Sequence, residues 1–119
     1  MATLANPGTA NQASFGQFGS TYTRSGNEAI KPPTGKVFVA ITFLEDTIFD
    51  SSGGLVAEEA TVYINTEDAA NDAATATAIE GEGGKQITTV FVFPKGVTLY
   101  GRWTEIDLNT GSIVAYFSD

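Results

Sequence analysis

The chain has 119 residues, room for one compact domain and not two. Hydrophobic residues make up 42% of it and charged residues only 17%, which excludes a wholly disordered polypeptide. Six Lys and Arg stand against 14 Asp and Glu, a formal charge of -8, so the clustered cations that a nucleic-acid binder needs are missing.

Thirteen glycines, abundant Thr, Ala, Ser and Asn, and few aliphatics in helical phase favour β structure. There is no His, which removes the usual general base at neutral pH and the commonest zinc ligand. There is no Cys, hence no thiol nucleophile, disulfide or iron–sulfur cluster. The start of the chain has neither the basic residues nor the apolar run of a signal peptide. No window supplies the roughly 20 apolar residues of a membrane helix. The expectation is a soluble protein made in a cytoplasm, without membrane or nucleic-acid partner.

Residues 1–33 are expected to form an extended N-terminal arm. They are mostly Ala, Gly, Asn, Gln, Ser and Thr, with no helical or strand period. Such an arm is either a disordered tail or a segment ordered against a partner. In the second case Leu4, Phe15, Phe18 and Tyr22 are its anchors, since its small residues bury little area. Lys31-Pro32-Pro33-Thr34-Gly35 closes the arm with a stiff turn, and residues 34–119 form the β domain.

Lys36 to Leu44 (KVFVAITFL) is the strongest strand, apolar on both faces, which suits a central strand covered on each side. Alternation puts Val37, Val39, Ile41 and Phe43 on one side, with Phe38, Ala40 and Leu44 on the other. Thr47-Ile48-Phe49 reads as a short edge segment before a turn through Asp50-Ser51-Ser52-Gly53-Gly54. Leu55 to Asn65 supplies one or two strands, with Thr61-Val62-Tyr63-Ile64 the firmest part. Residues 66–84 are small and acidic without a period: a short helix capped by Asn65 or Thr66, or a long surface loop.

The remainder alternates again. Lys85 to Phe93 (KQITTVFVF) predicts a strand, Pro94-Lys95-Gly96 a tight connection, and Val97 to Ile106 (VTLYGRWTEI) a second strand. Gly101 within it indicates a bulge or close packing against an aromatic ring. Asp107-Leu108-Asn109-Thr110-Gly111 reads as a hairpin turn into a closing strand, Ser112 to Phe117. The sum is an all-β fold: a small antiparallel β-sandwich or barrel of six to seven strands with an extended N-terminal arm.

Chemistry is hard to find. The carboxylate clusters lie in polar segments without an evident cleft, so neither catalysis nor a small-molecule substrate is expected. No EF-hand pattern occurs, which leaves only loose calcium candidates at Asp46/Asp50 or Asp68/Asp72. Gly81-Glu82-Gly83-Gly84 lacks the Lys-Ser/Thr of a phosphate loop. No cofactor is expected. Trp103 alternates with Leu99 and Val97, the pattern of core or interface, and this leaves Tyr100 and Arg102 to meet a partner. Between Lys36 and Lys85 stand ten acidic residues and no basic one, the composition of a solvated acidic face.

Two stretches carry a likeness. Phe93 to Ile106 (FPKGVTLYGRWTEI), followed by Leu108, Gly111 and Ile113-Val114-Ala115-Tyr116, resembles the closing stretch of small virion proteins of marine tailed phages. Lys36 to Thr47 (KVFVAITFLEDT) resembles their opening strand. The resemblance implies a virion structural protein, a capsid decoration (cement) protein on the outer head surface, with no catalytic residues. Its partners would be the major capsid protein and copies of itself. A homotrimer would match the local threefold positions of a capsid. Two other roles compete: a tail or fibre-tip module that recognises a host glycan through Tyr100, Arg102 and Trp103, and an assembly factor that leaves the particle.

Overall fold

The computed structural model describes residues 18–60, 62–67 and 85–119. Among these, the secondary structure is all β: β1 (Ser20–Arg24), β2 (Val37–Phe43), β3 (Ile48–Phe49), β4 (Leu55–Ala57), β5 (Thr98–Ile106), β6 (Leu108–Thr110) and β7 (Ser112–Ser118). A five-stranded antiparallel sheet runs in the order β1-β7-β2-β5-β4, and β3 pairs with β6 in a second, two-stranded sheet. This is the expected small antiparallel architecture.

Strand β2 sits at the middle because its sequence tolerates burial on both faces: Val37, Phe38, Ala40, Ile41 and Phe43 are all buried. The core fills one face of the large sheet with Phe38, Ile41, Phe43, Trp103, Ile106, Ile113 and Ala115. Phe49 of β3, Leu108 of β6 and Phe93 close over it. Phe43 and Phe93 stack at 4.9 Å, and Phe49 meets Phe93 edge-on at 5.4 Å. Each such fully buried side chain contributes about 1.5–3 kcal/mol of transfer free energy.

Five local expectations are corrected. Phe38 faces the core together with Ile41 and Phe43, not opposite them, because the register of β2 shifts between Phe38 and Ala40 against both neighbours. One extra residue there reverses the side on which the preceding residues lie. Residues 20–24, expected within the arm, form β1 and pair with β7 along five consecutive residues. Their pattern hid the strand because only Thr21 and Thr23 face inward, and neither is an apolar signal.

Residues 62–64 form a turn, with the N–H groups of Val62 and Tyr63 both donating to Glu59 O. Residues 85–92 form no strand despite their alternation. The nearby edge of β4 is already taken, since Leu55 exchanges bonds with Thr66: N–H to Oγ1 at 2.9 Å, and O from N–H at 3.0 Å. The segment is tied instead at single points: Ile87 N–H to Asn65 O, Gln86 Nε2 to Thr66 O, and the Thr47–Phe93 backbone pair. Finally, Asp107–Gly111 is no hairpin turn. Both β5 and β7 run antiparallel to β2, hence parallel to each other, and β6 carries the chain across through the second sheet. The helix-or-loop alternative for residues 66–84 falls, from 68 onward, outside the described residues.

Candidate assembly surface

The face of the large sheet opposite the core follows from the register. One row across four strands reads Tyr22, Val114, Thr42 and Thr98; the next reads Ser20, Tyr116, Ala40 and Tyr100. At about 4.8 Å between strands, each row spans roughly 14 Å. None of these eight residues is charged. Tyr22 and Tyr100 are 58% and 63% exposed, whereas Tyr116, Val114, Thr42 and Thr98 are half-buried. Ala40, flanked by Tyr100 and Tyr116 in its row, is buried. The hydroxyls of Thr42 and Thr98 bond each other at 3.0 Å. Rigid, amphipathic tyrosines on a flat neutral ground are the composition of a contact surface, since they offer large area at small entropy cost.

Charge collects at the margins. Arg102 Nε donates to Glu58 Oε1 at 2.6 Å and its Nη2 to Oε2 at 3.3 Å, while Nη1 reaches the carbonyl of Asp119 at 2.9 Å. This fork pulls the Glu58 carboxyl below the usual glutamate range and raises Arg102 in turn. Lys36 pairs with Asp119 and lies 5.0 Å over the Phe18 ring. Ser112, buried, donates to Glu45 Oε2 at 2.6 Å.

Of the residues singled out in the sequence, the fold brings Tyr22 and Tyr100 to one face, with two strands between them. Phe18 stands just before β1, partly exposed beside Lys36. Arg102 is committed to Glu58 and the chain end. Trp103 is a core residue: it is fully buried, and its Nε1 donates to Ile64 O at 2.8 Å. A sugar-stacking patch of Tyr100, Arg102 and Trp103 therefore does not form. Leu4 and Phe15 lie outside the described residues. Tyr116 and Val114 were missed, although the alternation of Ser112–Ser118 marks Ile113, Ala115 and Phe117 inward and these two outward.

The loop carboxylates serve local structure. Asp46 Oδ1 accepts from Lys95 N at 3.0 Å, Asp50 Oδ1 from Ser52 N at 3.2 Å, and Glu67 Oε1 from Gly53 N at 2.9 Å. Asp46 and Asp50 thus cap separate turns, and Asp68 and Asp72 lie outside the described residues. Among the described residues no group of three acidic side chains is placed to hold a metal ion. A second apolar exposure is the loop Val90-Phe91-Val92, beside a concavity of about 200 Å³ floored by Ile87, Phe91 and Phe93.

No family model, curated protein or solved structure matches this chain.

Proposed function

We propose that this chain is a structural protein of a tailed-phage particle, a decoration protein held in several copies on the outer surface of the head. The observation that carries the reading is the neutral, tyrosine-bearing face of β1, β7, β2 and β5, rimmed by paired charges. The stretches that resemble small virion proteins supply β2, β5 and β7, the three middle strands beneath that face. A lattice protein needs a broad, moderately sticky surface more than a deep pocket, because many linked contacts multiply weak ones. The acidic loops keep copies from sticking to one another through those loops. The partners on this reading are the major capsid protein and further copies of the chain.

The test is co-sedimentation of the purified chain with undecorated heads of its phage. Stoichiometric, saturable binding is expected, and Tyr100→Ala with Tyr116→Ala should abolish it while circular dichroism stays native. Binding to host cells but not to heads would replace the reading with glycan recognition. Absence of the chain from mature particles by mass spectrometry would replace it with a transient assembly role.

A further inference from the structure

The two edges of the five-stranded sheet differ. On the β4 side Leu55 is bonded to Thr66 through both its N–H and its C=O, so that edge is blocked there. On the β1 side the bonds Phe117 N–H to Gly19 O and Ser25 N–H to Gly111 O set the phase of the ladder. Thr21 and Thr23 therefore bond β7, while the N–H and C=O groups of Ser20 and Tyr22, and the N–H of Arg24, point outward. None of these outward groups has a partner among the described residues; only the Arg24 carbonyl is used, accepting from Asn27 N at 3.3 Å.

Most of the usual protections of an exposed edge are missing, the one charge in the strand being Arg24 at its end. Strand β1 holds no Pro and no Lys, and its five pairs with β7 run without a register shift, unlike the pairings of β2 with β5 or β4 with β5. Its own stretch is free of acid: residues 18–27 hold no carboxylate in a protein of charge -8. Approach by a second acidic copy meets the least repulsion there.

We infer that β1 pairs antiparallel with β1 of a second copy about a two-fold axis at Tyr22, joining two sheets into one of ten strands. The phases agree: the outward residues 20, 22 and 24 of one chain meet 24, 22 and 20 of the other. Tyr22 then exchanges both bonds with its twin, and each Ser20 faces an Arg24, so no like charges oppose. A two-fold perpendicular to the sheet turns both tyrosine faces to the same side and doubles the surface offered to a lattice. The inference supplies the self-contact of the proposed function but does not depend on a capsid.

Sedimentation equilibrium of the full chain at about 0.15 M salt tests it, with circular dichroism to verify each fold. A dimer is expected. Tyr22→Pro removes an outward N–H and no bond to β7, and should leave a folded monomer. Ser20→Glu, facing Arg24 twice per dimer, should lower the dimer Kd by roughly two- to thirtyfold, and Ser20→Lys should raise it comparably. The charge pair at position 20 keeps the test sharp even if the proline variant unfolds. A wild-type monomer at about 100 µM, well above a micromolar Kd, overturns the inference. So does an oligomer indifferent to the sign of charge at position 20. Neither result touches head binding by Tyr100 and Tyr116, which co-sedimentation reads separately.

Discussion

The indole of Trp103 lies across Gly101, so close that a Cβ on Gly101 would stand 2.7 Å from Cζ2 and 2.8 Å from Cη2 of the ring. The ring is pinned by the bond from Nε1 to Ile64 O. It cannot retreat without losing that bond or entering Phe38 and Ala57, which neighbour it in the sheet. Gly101→Ala is therefore expected to destabilise the fold by about 1–3 kcal/mol, the range of overpacking. Trp103 is the one tryptophan, so its fluorescence reports directly: chemical denaturation followed by emission should give an earlier midpoint. A midpoint equal to the wild type would mean the ring does not cover the glycine.

Two glycines with positive φ separate backbone strain from crowding. At Gly111 (φ +96) a Cβ would meet the carbonyl oxygen of Asp46 at 2.7 Å and Cα of Thr47 at 2.8 Å, both backbone atoms. At Gly96 (φ +91) the space is empty. Alanine at 96 incurs only the conformational penalty, about 1–2 kcal/mol. Alanine at 111 adds overpacking, for a total of roughly 2–5 kcal/mol. Thermal melting should rank the two variants well apart, with Gly111→Ala the lower. Equal melting temperatures would show that the β6–β7 junction yields more easily than its contacts imply.

What the sequence made legible were strands whose own side chains declare them. The doubly apolar run of β2, the Gly–Trp relation in β5 and the alternation of β7 all follow from residue chemistry. Pairing was not legible, because it depends on neighbours. Ile87, Thr89 and Phe91 alternate as a strand would, yet the nearest sheet edge is occupied by Thr66 and the segment stays a loop. Conversely, STYTR becomes β1 because β7 has an edge to offer, not because of its own apolarity. The shift beside Phe38 is invisible in one chain read alone, since a bulge is a property of two strands. Of the contact face, Tyr22 and Tyr100 were legible as aromatics left to meet a partner; alternation turns Tyr116 outward too, but only the register seats it beside Ala40.

Asn65 was expected at the end of a strand segment or as a helix cap, and the structure gives it a larger part. It is fully buried, donating through Nδ2 to Ala60 O at 2.9 Å and Tyr63 O at 2.8 Å, while Oδ1 accepts Glu67 N at 2.9 Å. It thereby shapes the turn that presents Ile64 O to Trp103 and Thr66 to the edge of β4. Asn65→Ala should cost about 2–3 kcal/mol, the penalty of buried groups left unbonded. Asn65→Asp should cost more at neutral pH, because a carboxylate would face two carbonyl oxygens. The tryptophan emission of both variants should shift red at temperatures where the wild type is still native. Unchanged emission and stability would reduce Asn65 to a bystander.

Two carboxyls should give opposite pH profiles. Glu58 is held below its ordinary range chiefly by the hydrogen bond from Arg102, which outweighs desolvation, with a smaller contribution from the Arg102 charge. A lowered folded pKa means the pair stabilises above the ordinary glutamate value and loses that contribution as pH falls through the folded one. Glu58→Gln should therefore melt below the wild type at neutral pH, with the gap closing in acid. Asp107 is shifted the other way, raised by burial and by the charges of Asp50 and Glu105, with the Leu108 N–H opposing. Its folded form prefers the proton, so the ionised carboxyl is a liability at neutral pH that eases as pH falls through the raised value towards the ordinary aspartate one. Asp107→Asn should melt above the wild type at neutral pH, and its advantage should fade in acid. Melting curves for the three proteins between about pH 3 and 7, the span over which carboxyls titrate, decide the matter. Parallel curves, with either gap constant across that span, would show that the charge of that residue plays no part in its effect.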